Sequence, residues 1–137
     1  MKYGKINITT GLLVLAAFMA YGFLLIYLRD FAPGKEEWIN TAHKGAHFEA
    51  RLAHVHGNLF ALLNIVLGYL LIKLELNEKA KKWISILLLV GILMPLGIVA
   101  ELVFGAPPVF VLLGAVSAVA GVAWFGISLW AHKTSGQ

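Results

Sequence analysis

Cysteine is absent from the chain. That removes disulfides, thiolate zinc sites, iron–sulfur clusters and thiol catalysis together. Charge is scarce as well: 13% of the 137 residues are Asp, Glu, Lys or Arg, about half the share in a soluble domain. Its apolar segments lack the alternation of barrel strands, and no internal repeat or low-complexity tract is visible. The net charge of +4 comes without any basic stripe interleaved with aromatics, so nothing points to nucleic acid.

What remains is apolar. Hydrophobic residues make up 60% of the chain, and they gather into four spans, at about 9–28, 52–72, 84–104 and 108–131. Each is near the roughly 20 residues that cross a bilayer as a helix. The first is too long for a signal-peptide core and lacks a small-x-small cleavage site. Pro107-Pro108 suits the first turn of the fourth helix, where a missing N–H costs nothing. Pro95 lies inside the third span and predicts a kink there. The expected fold is an all-α integral membrane protein, one four-helix transmembrane domain over residues 1–137 with the lipid bilayer as its solvent. The 30–50 connection has room for a short helix from about Glu36 onward, with Trp38 at an interfacial position.

Lysine and arginine set the expected orientation. One side carries Lys2, Lys5, Lys73, Lys79, Lys81, Lys82 and Lys133; the other carries Arg29, Lys35, Lys44 and Arg51. Seven against four favours both termini in the cytoplasm, and the expected location is the inner membrane of a bacterial or archaeal cell. The 30–50 connection then faces outward.

That connection leads into residues 43–58, HKGAHFEARLAHVHGN, which hold four of the five histidines. On a continuous helix at about 100° per residue, His43, His47 and His54 fall within roughly 40° of one another. Asn58 and Ala61 continue the line, flanked by Ala50, Gly57 and Gly68. His56 points nearly opposite, toward Glu49, Ala53 and Phe60. A small-residue stripe serves tight helix packing or the approach of a flat ligand; both readings stay open on sequence alone. His43 and His47 read as interfacial and solvated, while His54 and His56 fall just inside the outer edge of the bilayer, where ionisable side chains are functional candidates. His132, at the inner end of the last helix, suits the helix C-terminus and is given no chemistry.

Imidazoles without thiolates suit haem iron, copper or zinc. Zinc or copper needs three or four converging ligands, and His47 to His54 spans about 10 Å of helix, too far for one ion. Haem needs one or two axial histidines and an apolar slot. Three further polar residues stand out. Glu101 shares its expected depth with Arg51 and is expected to pair with it, unless Arg51 binds an acid group of a cofactor. Asn64, inside the second span, needs a hydrogen-bond partner across the bundle. Tyr21, Tyr27 and Tyr69 read either as belt residues or as hydrogen-bond partners.

Between Pro33 and about Phe104 the chain resembles the styrene oxide isomerases, small four-helix membrane proteins that bind haem b and assemble as trimers. The resemblance rests on Pro33-Gly34 followed by Trp38, on EARLAHVHGN opening the second helix, and on NEKAKKW after it. An ungapped match puts the family's axial histidine on His54 and its charged loop on Glu78-Lys79. Departures accompany it. Phe60 stands where the isomerases carry an asparagine, and Pro95 and Val99 replace their third-helix asparagine and tyrosine, the groups that handle the epoxide. The resemblance therefore implies the haem scaffold and the trimer more than the isomerase chemistry.

The resulting expectation is a membrane-embedded b-type haem protein, cytochrome-like in electron transfer or sensing a small ligand. His54 is the first-choice axial ligand; His56, His47 and His43 are candidate second ligands; Arg51, Gly57 and Asn58 complete the cofactor site. The rival readings are a haem-dependent epoxide isomerase and a non-haem metal-binding or structural membrane module.

Overall fold

The computed structural model describes residues 2–134, with side chains as far as Ala131. The His132 side chain therefore lies outside what is described. Six helices follow one another: α1 (Lys2–Asp30), α2 (Lys35–Asn40), α3 (Ala46–Lys73), α4 (Glu78–Gly91), α5 (Leu93–Phe104) and α6 (Val109–Thr134). No strand occurs among the described residues. With α4 and α5 taken as one span, four helices are long and apolar enough to cross a bilayer. Their outer faces carry Leu13, Phe23, Val119 and Trp130 largely uncovered. That much apolar exposure fits helices able to span a membrane.

The first two spans begin well before their apolar runs. α1 starts at Lys2 and α3 at Ala46, because a helix carries polar residues as readily as apolar ones once its packing is fixed. The expected short helix is α2. Gly34 introduces it at φ 84°, a left-handed conformation that glycine adopts without steric cost. Asn77 starts α4 by accepting a hydrogen bond from the Lys79 amide at 2.8 Å, an ordinary N-cap.

The third span breaks as Pro95 predicts. A proline has no N–H for the carbonyl four residues earlier, and that carbonyl is on Gly91, where α4 ends. Ile92 joins the two pieces and donates its amide to Leu89 at 3.1 Å. The break lets the two halves find different neighbours. α4 lies against α6 and α1, whereas α5 lies against α3 and α6; α6 itself touches only α4 and α5 among the described elements.

The seam between α1 and α3 is built from small residues on both sides. A Cβ on Gly11 would stand 2.8 Å from the Ala61 carbonyl, and one on Gly68 would stand 2.8 Å from both the Gly4 carbonyl and the Asn7 Cβ. Gly57 lies under the ring of Phe18. Most of the small-residue stripe on α3 is thus helix packing, driven by close van der Waals approach rather than by hydrophobic transfer.

One buried polar network ties α1, α3 and α4 together. Asn7 Nδ2 donates to Asn64 Oδ1 at 2.8 Å and to the Ser85 carbonyl at 3.2 Å. Asn64 Nδ2 donates to the Phe60 and Leu88 carbonyls, each at 3.0 Å. The Ser85 hydroxyl closes the set by donating to Asn7 Oδ1. Asn7, Asn64 and Ser85 are all buried, so each polar group needs these partners. Replacing Asn64 with Leu keeps the volume but removes three of the bonds. The expected loss is about 1–2 kcal/mol of stability, measured by unfolding in mixed detergent micelles.

A candidate cofactor groove between α1 and α3

His54 occupies the end of the α1–α3 seam nearest α2. Its ring is half-buried and rests on Gly22 of α1, where a Cβ would come within 2.8 Å of Cε1. The absence of a side chain at Gly22 is what makes room for the imidazole. Tyr21 flanks the ring, with centroids 6.3 Å apart. One turn along α3, Asn58 Nδ2 donates to the His54 carbonyl at 2.9 Å and leaves its buried Oδ1 without a partner.

Two clefts meet at His54. One, of about 430 Å³, has Gly22, Leu25 and Ile26 on the α1 side and His47, Arg51 and His54 on the α3 side, with Arg29 at its end. The other, of about 330 Å³, continues along the groove between Met19, Phe23 and Ile26 and reaches Asn58. Both volumes lie in the usual range for small-molecule sites, roughly 300–1,000 Å³. Both share Gly22, Ile26 and His54, so the imidazole stands between an apolar stretch and a cationic one.

The other histidines separate. His43 is not on α3: the helix begins at Ala46, after Gly45 at φ 118°, so the alignment of His43 with His47 and His54 on one helix face does not hold. His43 instead borders a third cleft, with Ala42, Phe48 and Val55, on the far side of Arg51. His47 is not a solvated interfacial residue. It is 8% exposed and stacks on Trp38 of α2, centroids 5.0 Å apart and planes inclined by 19°. The Thr41 hydroxyl fastens this corner, donating to the Trp38 carbonyl at 2.8 Å and accepting from the His47 amide at 3.2 Å. Burial leaves Trp38 Nε1 and His47 Nδ1 without partners.

His56 takes the opposite side of α3, as its position on the helix requires. It sits 6.4 Å from the Phe60 ring, and its Nδ1 is 2.9 Å from the Leu52 carbonyl. That carbonyl can only accept, so Nδ1 is the donor in this bond, and in a neutral imidazole Nε2 is then the acceptor. Metal-ligating histidines are commonly held this way. The structure does not bring His56 and His54 to one point within the chain.

Gly57 does not enter the groove, because Phe18 covers it. The expected Arg51–Glu101 pair is also not formed. Ion pairs among the described residues join Arg29 to Asp30 at 2.7 Å and Lys81 to Glu78 at 3.3 Å. Ala53 is the residue that packs toward Ile98 of α5, and Arg51, two residues earlier, lies about 200° around the helix from it. Arg51 therefore borders the clefts on the other side of α3; both it and Glu101 are exposed. No three His, Asp or Glu side chains among the described residues converge on one point suited to a metal ion.

Sequence reasoning missed Gly22, Arg29 and the capping role of Trp38. A signal for the first two was present: seven residues apart, they share a helix face to within about 20°, and Gly4, Gly11, Phe18 and Leu25 run at the same spacing beside them. No family model, no curated protein and no solved structure matches this chain.

Proposed function

We propose that this chain is an integral membrane protein, termini in the cytoplasm, that holds b-type haem through His54 and transfers electrons or senses a small ligand. One observation carries the reading: a half-buried imidazole resting on a glycine, between an apolar cleft and a cleft bearing Arg51 and Arg29. That donor set fits haem. The chain offers one nitrogen ligand, apolar walls from Met19, Phe23, Leu25 and Ile26, and arginines for acid groups at the rim. Bound here, haem would supply iron for one-electron transfer or for Lewis-acid chemistry.

Each residue has a defined task. His54 binds through a ring nitrogen; Gly22 leaves space for the ring; Asn58 braces the backbone of that turn. The second ligand is His56 from a neighbouring subunit. Its support is the Leu52 bond, which in the neutral imidazole leaves Nε2 as the ring's acceptor. The resemblance to the isomerases implies a trimer, and only the half-buried edge of α3 that bears His56, beside the face covered by α5, would be open to another chain. Absorbance spectroscopy of purified protein tests the assignment. Reduced wild type is expected to be low-spin with sharp bands, and His56→Ala is expected to become high-spin while keeping its haem. A high-spin wild-type spectrum would instead favour the open site of an isomerase.

A further inference from the structure

We infer that the α2-side end of the groove is an acid-group subsite, formed by Arg51, Arg29 and His47, for the carboxylate or phosphate of an amphiphile. Arg51 has no hydrogen bond or ion pair among the described residues, although it borders two clefts. Arg29 comes from the facing helix. Asp30 engages its Nε at 2.9 Å and one terminal nitrogen at 2.7 Å, leaving the other terminal nitrogen without a partner. That exposed neighbouring pair holds the Arg29 side chain only weakly against a better acceptor. His47 lines the same cleft; it is more than nine-tenths buried, and its Nδ1 has no hydrogen-bond partner. A buried ring nitrogen without a partner is costly unless something else satisfies it.

The remainder of the cleft defines the rest of the ligand. Leu25 and Ile26 line it next to the charges, and Met19 and Phe23 extend the apolar wall past His54. An acid head at the arginines with an apolar body along α1 satisfies both halves; a free inorganic anion would satisfy only one. Arginine suits such heads because its planar fork binds two oxygens at once. Two sources share this chemistry: an acidic phospholipid, and the carboxylates at the rim of a bound haem. The haem source rests on the function proposed above, and the lipid source does not.

The test uses purified full-length protein in detergent micelles, as wild type, as the double variant Arg29→Gln with Arg51→Gln, and as the double Lys variant. In the lipid arm, phosphatidylglycerol and phosphatidylcholine are titrated, with binding read by native mass spectrometry and the thermal midpoint. In the haem arm, haem and its dimethyl ester are titrated by absorbance. An advantage of about tenfold for the acid over its neutral counterpart is expected, lost in the Gln variant and kept only in part in the Lys variant, which retains the charge without the fork. The advantage in the lipid arm alone identifies a lipid; in the haem arm alone, the cofactor's carboxylates. If haem does not bind at all, the haem reading fails and the lipid arm still decides the subsite. An acid preference missing from both arms, or unchanged in the Gln variant, overturns the proposal.

Discussion

His54→Ala is expected to abolish haem binding while leaving the protein folded. The imidazole is half-buried and lies at one end of the α1–α3 seam, so its removal opens space beside Gly22 without disturbing Gly57, Ala61 or Gly68 below it. Alanine is the best helix former, and His54 side-chain bonds to Asn58 are long, at 3.3 and 3.5 Å. The fold therefore loses little. The cofactor loses its iron ligand from this chain and, with it, most of its affinity. Purified variant with wild-type far-UV circular dichroism and no Soret band is the predicted outcome. His43→Ala, on the other side of Arg51, is expected to keep the full band. A His54→Ala protein with full haem content would remove His54 as ligand.

Gly68→Val is expected to destabilise the α1–α3 seam strongly. The Gly4 carbonyl and the Asn7 Cβ each stand 2.8 Å from where a Cβ would be, and Ile8 follows at 3.1 Å. Two of these neighbours are main-chain or directly attached to it, so they cannot rotate away. Valine adds two methyl groups at that point and forces α1 off α3. The move also disturbs the Asn7–Asn64 bond one turn away. Overpacking costs about 1–3 kcal/mol, and the strained network puts the expected loss near the upper end, about 3 kcal/mol. Gly126→Val is the matched control: nothing lies within 4 Å of its Cβ position, and its effect is expected to stay within about 0.5 kcal/mol. Equal losses for the two variants, measured by unfolding in mixed micelles, would show that close approach at Gly68 does not hold the seam.

The four apolar spans, the helix in the 30–50 connection and the break caused by Pro95 were legible because each depends on local chemistry. Apolar length, a turn glycine and a missing N–H act within a few residues of themselves. The helical angle between His54 and His56 was legible for the same reason. What could not be read depended on a partner element. His47 looks polar and peripheral until Trp38 of α2 lies across it. Arg51 and Glu101 share a depth but not a direction, because Ala53 turns that side of α3 toward α5. The small-residue stripe was ambiguous for a deeper reason. Close helix packing and close ligand approach demand the same residues, and Phe18 over Gly57 assigns that position to packing.

The account stands or falls on whether the groove at His54 takes haem. The direct measurement is the absorbance spectrum of the purified full-length protein, titrated with haem in detergent. The predicted result is a Soret band that saturates at one haem per chain in the wild type and does not develop in His54→Ala. A wild-type protein that remains folded and shows no saturable Soret band contradicts it.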